Sequence, residues 1–279
     1  MTLHDREILA RHLSRVPVHR ALIRALENRL FDRELLVHPV LDIGCGDGHF
    51  AAVVFSGGID LGMDVSTAAV AEARRNGPYR HLLIASGTAL PCHGGMFHTV
   101  VSNCAIEHVA DSEALVGEVA RVLAPGGKFI FSVMNDKFTD MLFVVRTLRR
   151  IGMRKLAGAY GRWWNRRAVH CCLESPEEWR ERLARHNLTV VSHTYYLSLD
   201  ATRVFELAHY YYALPALLCR GLAGRWNWGK LPVQSRPAFG RLQPYAEEPW
   251  PADGAASFFV ACKGNPLLPA AAGGAGRDQ

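Results

Sequence analysis

The chain has 279 residues, 49% of them hydrophobic, and a formal charge of +6, which allows one large core or a core with a cap, and so one domain with insertions. The longest apolar run, Tyr210 to Cys219, is about half of what a membrane span needs and contains Pro215; the first twenty residues mix charged types (Asp5, Arg6, Glu7, Arg11) with apolar ones, so neither a spanning helix nor a signal peptide is expected. Seven cysteines without paired C-x-x-C spacing give no zinc site and read as reduced thiols, in keeping with a soluble, cytoplasmic protein.

Residues 1–38 carry helical spacing, with Leu22, Ile23, Leu26 and Leu30 on one stripe and Arg24, Glu27 and Arg33 elsewhere. This is expected to be an N-terminal helical cover, lying either over a ligand or on the sheet edge. Val40 to Gly48 (Val-Leu-Asp-Ile-Gly-Cys-Gly-Asp-Gly) then reads as a short buried strand, followed by three alternate glycines that let the backbone turn tightly beside a ligand. In a dinucleotide-binding loop the last glycine lies three residues after the second. Here Gly44, Gly46 and Gly48 are evenly spaced, Asp42 precedes them within the strand, and no Walker lysine follows.

A helix from about His49 leads to a second strand, Gly58 to Ser66. Asp64 falls where a strand-helix-strand unit delivers a carboxylate that can accept both hydroxyls of a ribose. A helix at Ala68 to Arg75, a strand at His81 to Ala85 and the loop Ser86 to Pro91 come next. The strand Phe97 to Asn103 is followed by Ala105 to Val109, the helix Ser112 to Leu123, the turn Ala124 to Gly127 and the strand Lys128 to Met134. Strands alternating with helices predict an α/β fold, a parallel sheet with helices on both faces.

Six segments in this order, Val40 to Gly48, Asp64-Val65-Ser66, Leu90-Pro91-Cys92, Phe97 to Val100, Glu107-His108-Val109 and Arg121 to Gly127, resemble the class I S-adenosylmethionine (SAM)-dependent methyltransferase domain of the methyltransferase type 11 group. The resemblance covers residues 40–134. It implies a Rossmann-like seven-stranded, mostly parallel sheet with an antiparallel last strand, SAM as cofactor and S-adenosylhomocysteine as product. By the same resemblance Asp42 organises the methionine end, and Gly44, Cys45, Gly46 and Gly48 pass beside the cofactor. Asp64 holds the ribose, Met63 and Val65 flank the adenine, Ser86 and Gly87 lie near its edge, and Asn103 faces the junction of cofactor and acceptor. The group has aspartates where this chain has Ser86 and His98, so altered adenine contacts are expected.

Farther on, Ser175-Pro176-Glu177-Glu178 is a helix start with a capping box, and the helix should run to Arg185. Leu188 to Leu197 and Ser257 to Lys263 read as an antiparallel pair of last strands. The domain therefore spans 39–264, with insertions at 135–174 and 198–256 forming an acceptor cap, and 265–279 reads as a disordered tail. Met141 to Leu173 holds eight basic residues (Arg146, Arg149, Arg150, Arg154, Lys155, Arg162, Arg166, Arg167) and no acidic one. Arg146, Arg149, Arg150 and Arg154 are expected on one helical face, with Leu142, Val145, Leu148 and Ile151 nearer the other and Trp163-Trp164 beyond. That pattern suits a solvated helix packed on the core, an anionic membrane surface, or an anionic, hydrophobic acceptor. Residues 204–228, rich in aromatics and leucine (Phe205, Tyr210, Tyr211, Tyr212, Leu214, Leu217, Leu218, Trp226, Trp228), read as an apolar lid or as core.

Methyl transfer from a sulfonium needs alignment, desolvation and, for a hydroxyl acceptor, removal of a proton, but no metal. His108 and His170 are the candidate bases; Glu107 reads as a helix-start charge or a structural hydrogen bond. The function expected is methylation of a small or lipid-like acceptor at oxygen, with possible peripheral contact with an anionic membrane. The alternatives are a non-catalytic SAM-binding regulatory or scaffold module and, less favoured because no RNA-binding appendage is present, a nucleic-acid methyltransferase.

Overall fold

The computed structural model describes residues 3–210 and 235–264. The central strand β1 (Val40–Ile43) is buried throughout because it is flanked on both sides, by β2 (Ile59–Asp64) and by β4 (Phe97–Asn103), in parallel. The sheet extends through β3 (Tyr79–Ile84) on one side and through β5 (Leu123–Met134), β7 (Ala256–Lys263) and β6 (Leu188–Tyr196) on the other, in the order β3-β2-β1-β4-β5-β7-β6. β7 runs antiparallel to both β5 and β6. The chain thus steps outward from β1 in one direction and then, from β4, in the other. The crevice at the carboxyl ends of β1 and β4 is the switch point at which open α/β sheets bind ligands.

Both faces of the sheet are covered, so successive strand residues enter opposite cores. In β5, Phe129, Phe131 and Val133 join one cluster and Ile130 and Met134 the other. The first face is closed by α5 (Ser112–Val122) and α9 (Pro176–Arg185), which contribute Leu115, Val116, Val119, Trp179 and Leu183. The expected capping box starts α9: Ser175 Oγ accepts the Glu178 amide and the Glu178 carboxylate accepts the Ser175 amide at 2.8 Å. Two shorter helices, α3 (His49–Val54) and α4 (Thr67–Asn76), connect the first three strands.

The second face carries α1 (Leu3–Leu13) and α2 (Val18–Phe31), whose Leu22, Ile23, Leu26 and Leu30 are all buried there. It also carries α11 (Ser235–Ala246) and the helices that follow β5. After the one-turn α6 (Phe138–Met141) come α7 (Phe143–Arg150) and α8 (Arg154–Ala168). A single amphipathic helix was expected here, but the chain breaks at Ile151-Gly152-Met153, where Gly152 has φ +81°. Arg154 therefore lies on a different helix from Arg146, and Ile151 is 62% exposed while Leu142 and Val145 are fully buried. Glu206, in the helical residues 199–210 (α10), holds the pair in place. Its buried carboxylate accepts the amides of Phe143 and Val144 at the start of α7 and the Tyr160 hydroxyl of α8. The end of the apolar run 204–228 and the tail 265–279 lie outside the described residues.

Candidate active site

The glycine turn after β1 is shaped by contact as well as by backbone angle. Gly44 has φ +76°, and a Cβ there would stand 2.4 Å from the Ala105 Cβ. Gly46 has φ +55°, and a Cβ on it would meet nothing within 4 Å, because that side opens into a cavity. The amides of Gly44 and Cys45 donate to the Met63 carbonyl at 2.8 and 2.9 Å, and the Gly46 amide donates to Asp64 Oδ2 at 3.0 Å. The other Asp64 oxygen accepts the Ser66 amide at 2.8 Å. Loop and acid are therefore one unit.

The cavity beside Gly46 measures about 70 Å³ and is lined by Asp42, Gly44, Cys45, Gly46 and Asn103 together with Arg20 and Arg24 of α2. Asp42 is 6% exposed and accepts the Tyr79 hydroxyl at 2.6 Å. Burial raises its pKa to about 6, against the opposing effect of the Tyr79 bond. Only a small end of a nucleoside fits in this space. Val65 and Ser86 lie outside it, exposed beyond the end of β2 and beyond β3. Met63 turns its side chain into the core (1% exposed), so that it offers the turn its carbonyl. Gly87 packs against Leu115 and Ile43. His98 sits at the other end of β4, its ring bonded to the His38 carbonyl.

A second cavity of about 700 Å³ adjoins the first and shares Arg20 and Arg24 with it. Its other walls include His108, His170, Glu107, Phe138, Trp164 and Phe205. The two candidate histidines, 62 positions apart in the chain, stack here with ring centroids 5.6 Å apart. His108 Nδ1 lies 3.0 Å from the Val169 carbonyl, which can only accept, so Nδ1 carries the hydrogen and Nε2 keeps its lone pair. For His170 the tautomer follows from the next partner along. Asn165 donates its amide nitrogen to Thr139 at 2.9 Å, which leaves Asn165 Oδ1 to accept from His170 Nδ1 at 3.3 Å. Burial lowers the His170 pKa to about 4, with a smaller effect from His108.

The segment bearing His170 is stitched to the turn after β4. The amides of Cys171 and Cys172 donate to the Glu107 carbonyl at 2.8 and 3.2 Å. The Glu107 side chain is 1% exposed, and one of its oxygens has no partner. Burial pushes its pKa up. The other oxygen accepts the Met134 amide at 3.5 Å, a structural bond of the kind expected, and the residue borders the larger cavity.

Glu27 is the residue that sequence reasoning placed wrongly. It stands away from the predicted apolar stripe, yet it is 0% exposed and is the most heavily bonded carboxylate near the site. Arg24 Nη1 donates to it at 2.5 Å, Asn103 Nδ2 at 2.8 Å, Cys104 Sγ at 2.9 Å and the Tyr196 hydroxyl at 3.1 Å. Asn103, expected at the junction, is thereby spent on Glu27 and on Ser132, whose hydroxyl donates to Asn103 Oδ1 at 2.6 Å. A signal was present in the sequence: Glu27 lies four residues after Ile23 and three before Leu30, in step with the buried face.

Residues 11–193 match the family model described as a methyltransferase domain. The chain is 29% identical over 154 residues to a ubiquinone biosynthesis O-methyltransferase of Psychrobacter cryohalolentis, covering 52% of this chain and 59% of that protein. It is 29% identical over 137 residues to a malonyl-[acyl-carrier protein] O-methyltransferase of Enterobacter lignolyticus, covering 47% and 55%. The match thus spans little more than half the length of these curated relatives. Among solved structures, a SAM-dependent methyltransferase of Thermotoga maritima, described as a possible histamine N-methyltransferase, superposes with a TM-score of 0.53 at 17% identity, over 88% of this chain and 91% of that one. That likeness concerns the fold.

Proposed function

The chain belongs to the class I SAM-dependent methyltransferase family, and from that premise we propose that it transfers a methyl group from SAM to oxygen of a small or lipid-like acceptor. The observation that carries the reading is the pair of adjoining cavities at the β1/β4 switch point, one beside the glycine turn and one beside two imidazoles, with Arg20 and Arg24 common to both. The curated relatives named as O-methyltransferases support oxygen as the atom methylated.

The residues fit the donor. Gly46 leaves room where any side chain would intrude, Asp64 keeps lone pairs free for a ribose diol, and Arg20 and Arg24 suit the carboxylate of a methionine moiety. When bound, SAM supplies a methyl group already activated by the positive sulfonium. The protein's part is to hold, orient and dry the reacting atoms and to take up a proton. We assign that proton to His108 Nε2. The ring is exposed enough to pass the proton on to water, while His170, neutral down to about pH 4, lies against it without adding a second charge.

Calorimetry with S-adenosylhomocysteine tests the donor site. Binding by the parent and at least a roughly ten-fold loss in Asp64→Ala are expected, and a parent that binds neither SAM nor its product refutes the proposal. With labelled SAM and a lipid extract, His108→Gln should lower kcat about 10²-fold while product affinity stays unchanged. Turnover of any acceptor excludes the scaffold alternative.

The tip between α7 and α8 adds a peripheral role to the proposal. Ile151, Met153 and Leu156 are 62%, 48% and 55% exposed and lie among Arg150, Arg154 and Lys155. Apolar side chains ringed by cations match an anionic membrane surface, from which a lipid-like acceptor could be drawn. No helix among the described residues is long and apolar enough to cross a membrane. We propose a cytoplasmic location at the membrane face, on the strength of that exposed tip.

A further inference from the structure

The larger cavity is more positive than methyl transfer requires. Of its three guanidinium groups, Arg24 is matched by Glu27. Arg20 and Arg167 have no carboxylate within 4 Å among the described residues. Burial and the neighbouring Arg24 lower the Arg20 pKa, against the opposing effects of Asp47 and Glu27, and both Arg20 and Arg167 keep part of their surface in solvent, open to an incoming ligand. Glu107 is the carboxylate on the same lining, its pKa pushed up by burial against the lowering effect of His108.

The cations divide between two ends. Arg20 and Arg24 reach the cavity beside the glycine turn, but Arg167 does not. It stands on α8 close enough to His209 to depress that imidazole's pKa, after the larger effect of burial. The His209 ring lies 4.8 Å from that of His19 and 5.0 Å from that of Trp164. His19 Nδ1 is buried without a hydrogen-bond partner. An apolar wall runs from His209 and His19 to His170 through ring contacts: Trp164 lies 5.0 Å from His209, Phe205 5.9 Å from His19, and Phe138 6.3 Å from Phe205 and 5.3 Å from His170.

Building on the methyltransferase reading, we infer that the acceptor is an amphipathic oxyanion whose carboxylate or phosphate sits against Arg167, His19 and His209. Its apolar body lies along Trp164, Phe138 and Phe205, and its reacting oxygen reaches the histidine pair. A guanidinium presents paired N–H donors to either oxyanion, and the unpaired His19 Nδ1 can add a hydrogen bond at the same end. Arg167 does not line the donor cavity, and saturating S-adenosylhomocysteine separates an acceptor oxyanion at this end from the donor's own carboxylate.

The test uses the full chain saturated with S-adenosylhomocysteine, so that the donor-side arginines are already occupied. Octanoate, octyl phosphate and neutral octanamide are titrated in turn by calorimetry. At least one anion should bind about ten-fold or more tightly than octanamide, and the better one identifies the head group. Arg167→Gln should abolish that preference while leaving octanamide and S-adenosylhomocysteine binding unchanged. Arg166→Gln, one position earlier on the same helix, should keep it. Equal binding of charged and neutral probes, no measurable binding of either anion, or a preference that survives Arg167→Gln would overturn the inference. Failure to bind S-adenosylhomocysteine would sink the methyltransferase reading instead, so the two failures are distinguishable.

Discussion

Replacing Glu27 by leucine removes one carboxylate and strands four donors at once. The side chain is fully buried, and its partners come from α2 itself, the end of β4 and the end of β6. Leucine fills much the same volume, so no large cavity opens, and the loss is electrostatic. Breaking a buried ion pair by removing one partner costs about 3–5 kcal/mol, a large fraction of the roughly 5–15 kcal/mol that holds a domain together. At about 2–4 °C per kcal/mol for a domain near this size, Tm should fall by roughly 6–20 °C.

Glu27→Gln should cost less. Its remaining oxygen can serve Arg24 and Asn103, while the Cys104 thiol and Tyr196 hydroxyl can turn to accept from the new amide; what is lost is the countercharge of Arg24. Urea unfolding of Glu27→Leu, Arg24→Met and the double variant separates these contributions. The double variant should be about 1–3 kcal/mol more stable than the sum of the single losses, because neither charge is then left buried alone. Strict additivity would refute the argument. S-adenosylhomocysteine affinity should fall with Glu27→Leu, since Arg24 and Asn103 wall the donor cavity.

Two further outcomes are expected. Vesicles containing phosphatidylglycerol should sediment the protein and pure phosphatidylcholine vesicles should not; Ile151→Ser with Leu156→Ser should release it, and sedimentation unaffected by that change would remove the membrane role. Stability should also fall as pH drops from 6.5 towards 4. His12 and His49 bond ring to ring at 3.0 Å, and burial lowers their pKa values to about 3 and about 4, with smaller effects from neighbouring charges. Folded pKa values below the ordinary 6.5 mean that the unfolded chain takes up protons first, so the stability present above pH 6.5 is lost as pH falls towards the folded values. Each imidazole contributes a slope of about 1.4 kcal/mol per pH unit. Asp42, raised to about 6, works in the opposite direction between pH 4 and 6, as do Glu107, Glu206 and Glu248, while His19, His170 and His193 add to the loss. A urea midpoint with the same pH slope in His12→Gln as in the parent would contradict this.

What could be read from the order of residues was whatever depends on near neighbours. Three alternate glycines, an acid at a strand end, apolar strands alternating with helices and the Ser175 cap each act over a few positions, and the seven-stranded sheet follows from their sequence. In the basic insertion the periodicity missed a local stop, Gly152 with φ +81°, and the anchoring of α7 and α8 on a Glu206 carboxylate 63 and 46 positions away lay beyond its reach. The spacing put Glu27 in step with the buried face, but what would pair its charge lay out of reach. Its partners Asn103, Cys104 and Tyr196 lie 76, 77 and 169 positions away, and a carboxylate on a helix looks solvated until a sheet closes over it. The meeting of His108 with His170, the tautomer of each ring and the placing of Arg20 and Arg167 on one cavity belong to the folded molecule alone. Each is set by which groups distant in the chain come to line one cavity, and only chain closure determines that.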